Sequence, residues 1–137
     1  MLNYRLYTHQ RGNYYECPHF FILSRGKNAG RPQYEAIPNA FVVVTRESEE
    51  LERLYWIAYA LWKAKHFEFI QLGSVIPFIK VGDVRKLIAD KANSIDFDSQ
   101  YTKKRLKLLH ALRKLGENQL SLVSKISEME RTAASGL

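Results

Sequence analysis

The chain has 137 residues, 46% hydrophobic and 26% charged, with a net charge of +7. That length holds one domain with its own core, and that composition excludes a disordered polymer. The apolar runs Ile37–Val44 and Val75–Val81 are broken by Pro, Asn or Lys far short of a membrane span, so no membrane association is expected.

The first residues lack an apolar signal core, and the one cysteine, Cys17, has no internal disulfide partner, which makes a reducing cytoplasmic setting the expectation. The basic charge is concentrated at the two ends. Residues 1–45 carry five Lys/Arg against two Asp/Glu, residues 46–100 eight against nine, and residues 101–137 eight against three. Such a balance suits a polyanionic partner, and it also serves plain solubility.

Residues 2–8 alternate Leu2, Tyr4 and Leu6 against Asn3, Arg5 and Tyr7, which predicts a half-buried strand. Gly12-Asn13 marks a turn, and Pro18–Ser24, with Phe20, Phe21, Ile22 and Leu23, reads as a buried strand. The loop Arg25–Pro32 holds two Gly, one Pro and three cations, which suits a turn or wide hairpin loop. Ala40–Val44 is the third expected strand.

The period then changes. Leu51, Leu54, Tyr55, Ala58, Leu61 and Trp62 follow helical spacing over Glu47–Lys65. Thr45 or Ser48 is placed to cap this helix, acidic residues crowd its first turns, and Lys63 and Lys65 close it, in the order the helix dipole favours. Phe67–Leu72 and Ser74–Val81 are two further strand candidates with Gly73 as the bend, Pro77 placing the second at an edge or itself at the strand's entry. Asp83 is positioned to cap a short helical turn through Val84, Leu87 and Ile88, and Asp90–Ser99 reads as irregular.

Ser99 or Asp98 opens the last element, a helix from Gln100 to about Arg131. Within it Tyr101, Arg105, Leu108, Leu112, Leu115, Gln119, Leu122, Ile126 and Met129 alternate spacings of four and three, the pattern of a coiled-coil seam with Gln119 as a polar layer. A helix of this length spans roughly 45–50 Å. It either folds back near Gly116 or extends to pack on another helix. The predicted organisation is an α+β fold, a small mostly antiparallel sheet with one packed amphipathic helix and a long C-terminal coiled-coil-type helix. Residues 1–99 form the α+β domain, 100–131 the helix and 132–137 a frayed tail.

No catalytic set emerges. Cys17-Pro-His19 offers two metal ligands, with His9 the nearest third, where zinc needs three or four, so a buried thiol and a hydrogen-bonded imidazole are expected and no metal or cofactor. Asp96 and Asp98 near Lys103 and Lys104 fit helix capping better than nuclease chemistry. The Gly26–Gly30 loop does not open a helix with Gly-Lys-Ser/Thr, so it is no phosphate-binding P-loop. Two basic features do suit phosphates. Arg25, Lys27 and Arg31 crowd one loop, where Asn28 can donate and accept toward a base edge, and Lys103, Lys107, His110 and Lys114 form a stripe on the last helix.

The order Gly73-Ser74-x-Ile76-Pro77, Asp83-Val84, a gap, Gln100 and a leucine-rich heptad helix resembles the end of a target-recognition domain in specificity subunits of type I restriction–modification systems. The resemblance implies scaffold roles for Gly73, Ser74, Ile76, Pro77 and Asp83, a spacer helix starting at Gln100, and a domain that reads DNA. The chain departs from that pattern in having no proline between Ile88 and Ser99 and room for one recognition domain. Over its whole length, including Pro18-His19-Phe20-Phe21 and Gly26-Lys27-Asn28-Ala29-Gly30-Arg31-Pro32, it more closely resembles short uncharacterised proteins of Bacteroidetes mobile elements. The expectation is therefore a non-catalytic module that binds duplex DNA through Arg25, Lys27, Asn28, Arg31, Lys103, Lys107 and Lys114. It would pair with a second copy or a partner protein through Leu108, Leu112, Leu115, Gln119, Leu122, Ile126 and Met129. The alternatives are a protein-interaction module without nucleic acid and a small metal-dependent nuclease.

Overall fold

A computed structural model describes residues 2–137, and the chain divides into two compact units, one through Ile95 and one spanning Asp96–Leu137. The first is α+β. Strands β1 (Tyr4–Thr8), β2 (His19–Leu23), β3 (Pro32–Gln33) and β4 (Ala40–Thr45) form an antiparallel sheet in the order β1-β4-β2-β3. Helix α1 (Ser48–Lys63) packs on one face and α2 (Val81–Ser94) follows.

The central strands are apolar on both sides because both sides are covered. Phe20 meets Tyr55 of α1 edge-on at 5.3 Å, and its register partner Val43 shares that face. On the other face Phe21, Ala40 and Val42 cluster under Tyr7, Tyr15 and Ile37. Side chains of this size each contribute about 1.5–3 kcal/mol on burial. Helix α1 buries Leu51, Leu54, Tyr55, Ile57, Ala58, Tyr59 and Leu61, which anchor it over the sheet. From α2, Arg85 Nε donates to the Leu6 carbonyl at 2.7 Å.

Three expectations for the first unit are corrected. Phe67–Leu72 is not a strand but overlaps a 3-10 turn, His66–Ile70, because Lys65 takes a left-handed backbone (φ 62°) that turns the chain and Phe67 is buried instead of alternating. The strand expected over Ser74–Val81 is reduced to bridges. Phe78 pairs with both Leu72 and Arg25, and the β-branched Val75 and Ile76 are exposed at the tip of the tight loop those bridges close. Pro77 lacks a donor for a longer ladder. From Val81 the helical spacing of Val84 and Ile88, both buried, overrides strand propensity, so α2 runs to Ser94, through half of the stretch read as irregular.

Caps differ as well. Glu47 is the N-cap of α1 and Lys80 that of α2, neither with a side-chain hydrogen bond. Thr45 instead donates to the Glu47 carbonyl at 2.9 Å, and Asp83 lies inside the first turn of α2. Cys17, expected to be buried, is exposed, while His19 Nδ1 donates to the Cys17 carbonyl at 2.8 Å.

The second unit is one helix and its lead-in. The Asp98 N–H donates to Asp96 Oδ1 at 3.0 Å, and Ser99 Oγ accepts from the Thr102 N–H at 3.3 Å to cap α3 (Gln100–Ser135). Gly116 neither bends it into a hairpin nor ends it, since 36 residues run as one helix, about 54 Å at 1.5 Å per residue. The tail expected to fray from 132 is helical through Ser135. Thr132 Oγ1 donates back to the Glu128 carbonyl, and Ala133 and Ala134 are the strongest of helix formers. No helix among the described residues is long and apolar enough to cross a membrane.

Candidate nucleic-acid interface

The loop after β2 is rigidly built. β2 and β3 are antiparallel neighbours with Ile22 opposite Pro32, and the chain between them makes two successive turns, Ala29 N–H to Gly26 carbonyl at 3.1 Å and Arg31 N–H to Asn28 carbonyl at 3.0 Å. Gly30 has φ 102°, and a Cβ there would run into the Phe67 ring. The same loop is stitched to the segment that follows the 3-10 turn. Gly26 N–H donates to the Pro77 carbonyl at 2.7 Å, and Ile79 N–H to the Ser24 carbonyl at 3.0 Å. Leu72–Ile79 thus acts as the brace that holds the basic loop in place.

This fixation brings the loop to the end of α1. Lys27, Asn28 and Ala29 line a cleft of about 420 Å³ together with Trp62, Lys63, Lys65, Phe67, Glu68 and Gln71. Ala64 and Lys65 N–H groups close α1 onto the Ala60 and Trp62 carbonyls at 2.9 and 3.0 Å, after which the left-handed Lys65 sends the chain into the 3-10 turn. A non-glycine residue in that conformation costs about 1–2 kcal/mol. Lys63 Nζ sits 4.8 Å from the Trp62 ring centroid and 5.8 Å from that of Tyr59, so it is held by cation–π attraction. Three lysines face one carboxylate here. The C-terminal end of α1 adds only about half a negative charge, so the cleft stays net positive. Asn28 and Gln71 add amide donors and acceptors.

Of the residues expected to touch nucleic acid, Lys27 and Asn28 line this cleft. Arg25, exposed, and Arg31, whose Nη2 donates to Gln33 Oε1 at 3.3 Å, belong to the same loop but not to the lining. Lys103, Lys107 and Lys114 are exposed on α3 in the other unit. Sequence reasoning missed Trp62, Lys63, Lys65 and Gln71. The two lysines read as dipole complements and the tryptophan as core, whereas the run Trp62-Lys63-Ala64-Lys65 at a helix end carries the signal of a basic aromatic rim.

A second groove, about 490 Å³, is lined by Tyr4, Arg5, Leu6, Tyr7, Arg85 and Ala89, but there Arg85 is engaged by the Leu6 carbonyl. Among the described residues no group of three or more His, Cys, Asp or Glu is placed to hold a metal ion.

Residues 6–135 match a family of unknown function, DUF6943. The chain belongs to this family. No curated protein and no solved structure matches it. DUF6943 membership covers both units, so the sheet, the cleft and α3 all lie within the family's extent.

Proposed function

We propose that this DUF6943 protein is a non-catalytic module that binds duplex DNA. Its basic loop and the Lys27–Lys63–Lys65 cleft would take backbone phosphates, and Lys103, Lys107 and Lys114 would add contacts from α3. The observation that carries this reading is the convergence of three lysines, a tryptophan and two side-chain amides from separate parts of the chain on one rigid cleft. Ammonium groups supply the sequence-independent part of DNA affinity, and amides supply hydrogen bonds that discriminate base edges. The likeness of Gly73–Gln100 to restriction–modification specificity subunits is in keeping with it and rests on sequence order alone.

Salt dependence is the decisive measurement. The three cleft contacts alone give a slope of about −2.7 in log K against log salt, a loss of about 40-fold between 50 and 200 mM, and three more from α3 bring it to about −5.4, a loss of about 2,000-fold. The triple substitution K27E/K63E/K65E is expected to abolish binding of a labelled duplex. Affinity that ignores salt, or no binding at 50 mM, overturns the proposal.

A second reading is supported by the exposure of the α3 seam, on which Leu108, Leu112, Leu115, Leu122, Ile126 and Met129 are 47–71% exposed. In it α3 pairs with another helix, of a second copy or of a partner protein, and assembly is the function. Charge reversal at Lys27 and Arg31 would then be silent, while Leu115→Asp and Leu122→Asp would abolish assembly.

A further inference from the structure

We infer that the partner of α3 is α3 of a second copy of this chain, running parallel and in register over Leu108–Met129. The inference deepens the helix-pairing reading and rests on it. In heptad positions abcdefg the seam places Leu112, Gln119 and Ile126 at a, and Leu108, Leu115, Leu122 and Met129 at d. Leucine at d with one polar residue among the a positions is the pattern of a two-stranded parallel coil.

Two features bear on this partner and this orientation, and a third sets where the seam stops. In a parallel in-register pair a faces a, so Gln119 meets its own copy and the two amides satisfy each other. In an antiparallel pair a faces d, so each Gln119 would sit opposite a leucine, with the amide of its copy one layer, about 4.5 Å, away along the axis. The second feature is charge. Lys125 falls at g and Glu130 at the e position five residues on, the spacing at which side chains bridge the two strands of a parallel coil, and symmetry makes the pair twice. The third is where the seam stops. Arg105 falls at a, where it would confront its copy, and its guanidinium instead lies 5.2 Å from the Tyr101 ring centroid of its own helix. The apolar seam therefore opens at Leu108. On a helix of 3.6 residues per turn, Lys107 and Lys114 sit roughly 130° from the seam and Lys103 roughly 180°, outside the contact.

The test uses the purified full chain in a Cys17→Ser background, which removes the exposed native thiol. Leu108→Cys and Met129→Cys are introduced singly at the two ends of the seam. Light-scattering mass should be twice that of the chain. Each variant alone should then form a disulfide-linked dimer under mild oxidation, because residues of the same number face each other only in the parallel register. In addition, Lys125→Glu should weaken the dimer several-fold and Glu130→Lys in the same chain should restore it. A monomeric mass overturns the pairing reading itself. A dimer that cross-links only when the Leu108→Cys and Met129→Cys chains are mixed leaves pairing intact and overturns the parallel register. A mass of three chains overturns the two-stranded state.

Discussion

Helices α1 and α3 carry the same kind of apolar periodicity and meet opposite fates. In 16 residues α1 buries seven, because the sheet that covers it lies in the same unit. In 36 residues α3 buries none, although its seam is the more regular of the two. Periodicity thus declares that a face exists to be covered, and it is the residues at its positions, not the spacing itself, that bear on what covers it. Where strands with apolar faces lie nearby in sequence, the cover is local. Among the described residues, the unit that holds α3 contains no second element to cover it.

The contrast can be attacked with one substitution placed in both helices. Leu54 is fully buried, so Leu54→Ala is expected to cost about 2–5 kcal/mol. Leu112→Ala lies in the other unit and should leave the same transition within about 0.5 kcal/mol, its effect falling on helix pairing instead. Denaturant unfolding followed by tryptophan fluorescence reads this out, because Trp56 and Trp62, the two tryptophans, both lie in α1. Equal costs at the two positions would break the comparison.

Glycines sharpen it at smaller scale. Gly30→Ala combines a positive φ with overlap on the Phe67 ring and should destabilise the first unit by about 2–4 kcal/mol. Gly116→Ala meets nothing within 4 Å and should stabilise α3 by about 1 kcal/mol, visible as greater helicity by circular dichroism on heating. A stabilising Gly30→Ala would mean that the basic loop is not clamped as described.

Much of the architecture was legible. The alternation of Leu2–Tyr7, the apolar run Phe20–Leu23, the helical spacing from Leu51 and the capping by Ser99 all correspond to elements of the structure. What misled was the segment Phe67–Val81, where β-branched and aromatic residues promised two strands. Strand propensity expresses fit to a neighbouring pleated surface, and here the chain is spent on clamping a loop. The cleft was half legible. Lys27 and Asn28 announce themselves by crowding with glycine, but nothing local to Lys63 or Lys65 reveals that α1 ends beside that loop. That meeting depends on Gly30 against Phe67 and on the Gly26–Pro77 hydrogen bond, contacts between residues 37 and 51 positions apart.

The two margins of the sheet have a consequence for behaviour at high concentration. On one side β3 is only two residues long and begins with Pro32, which has no N–H to offer an incoming strand. On the other, the Arg85 guanidinium already occupies the Leu6 carbonyl in the middle of β1. A two-residue proline-led strand on one margin and an arginine on the other disfavour edge-to-edge stacking into fibrils and the addition of a peptide strand. If α3 pairs as proposed, a concentrated solution is expected to form discrete helical assemblies in place of growing β-aggregates.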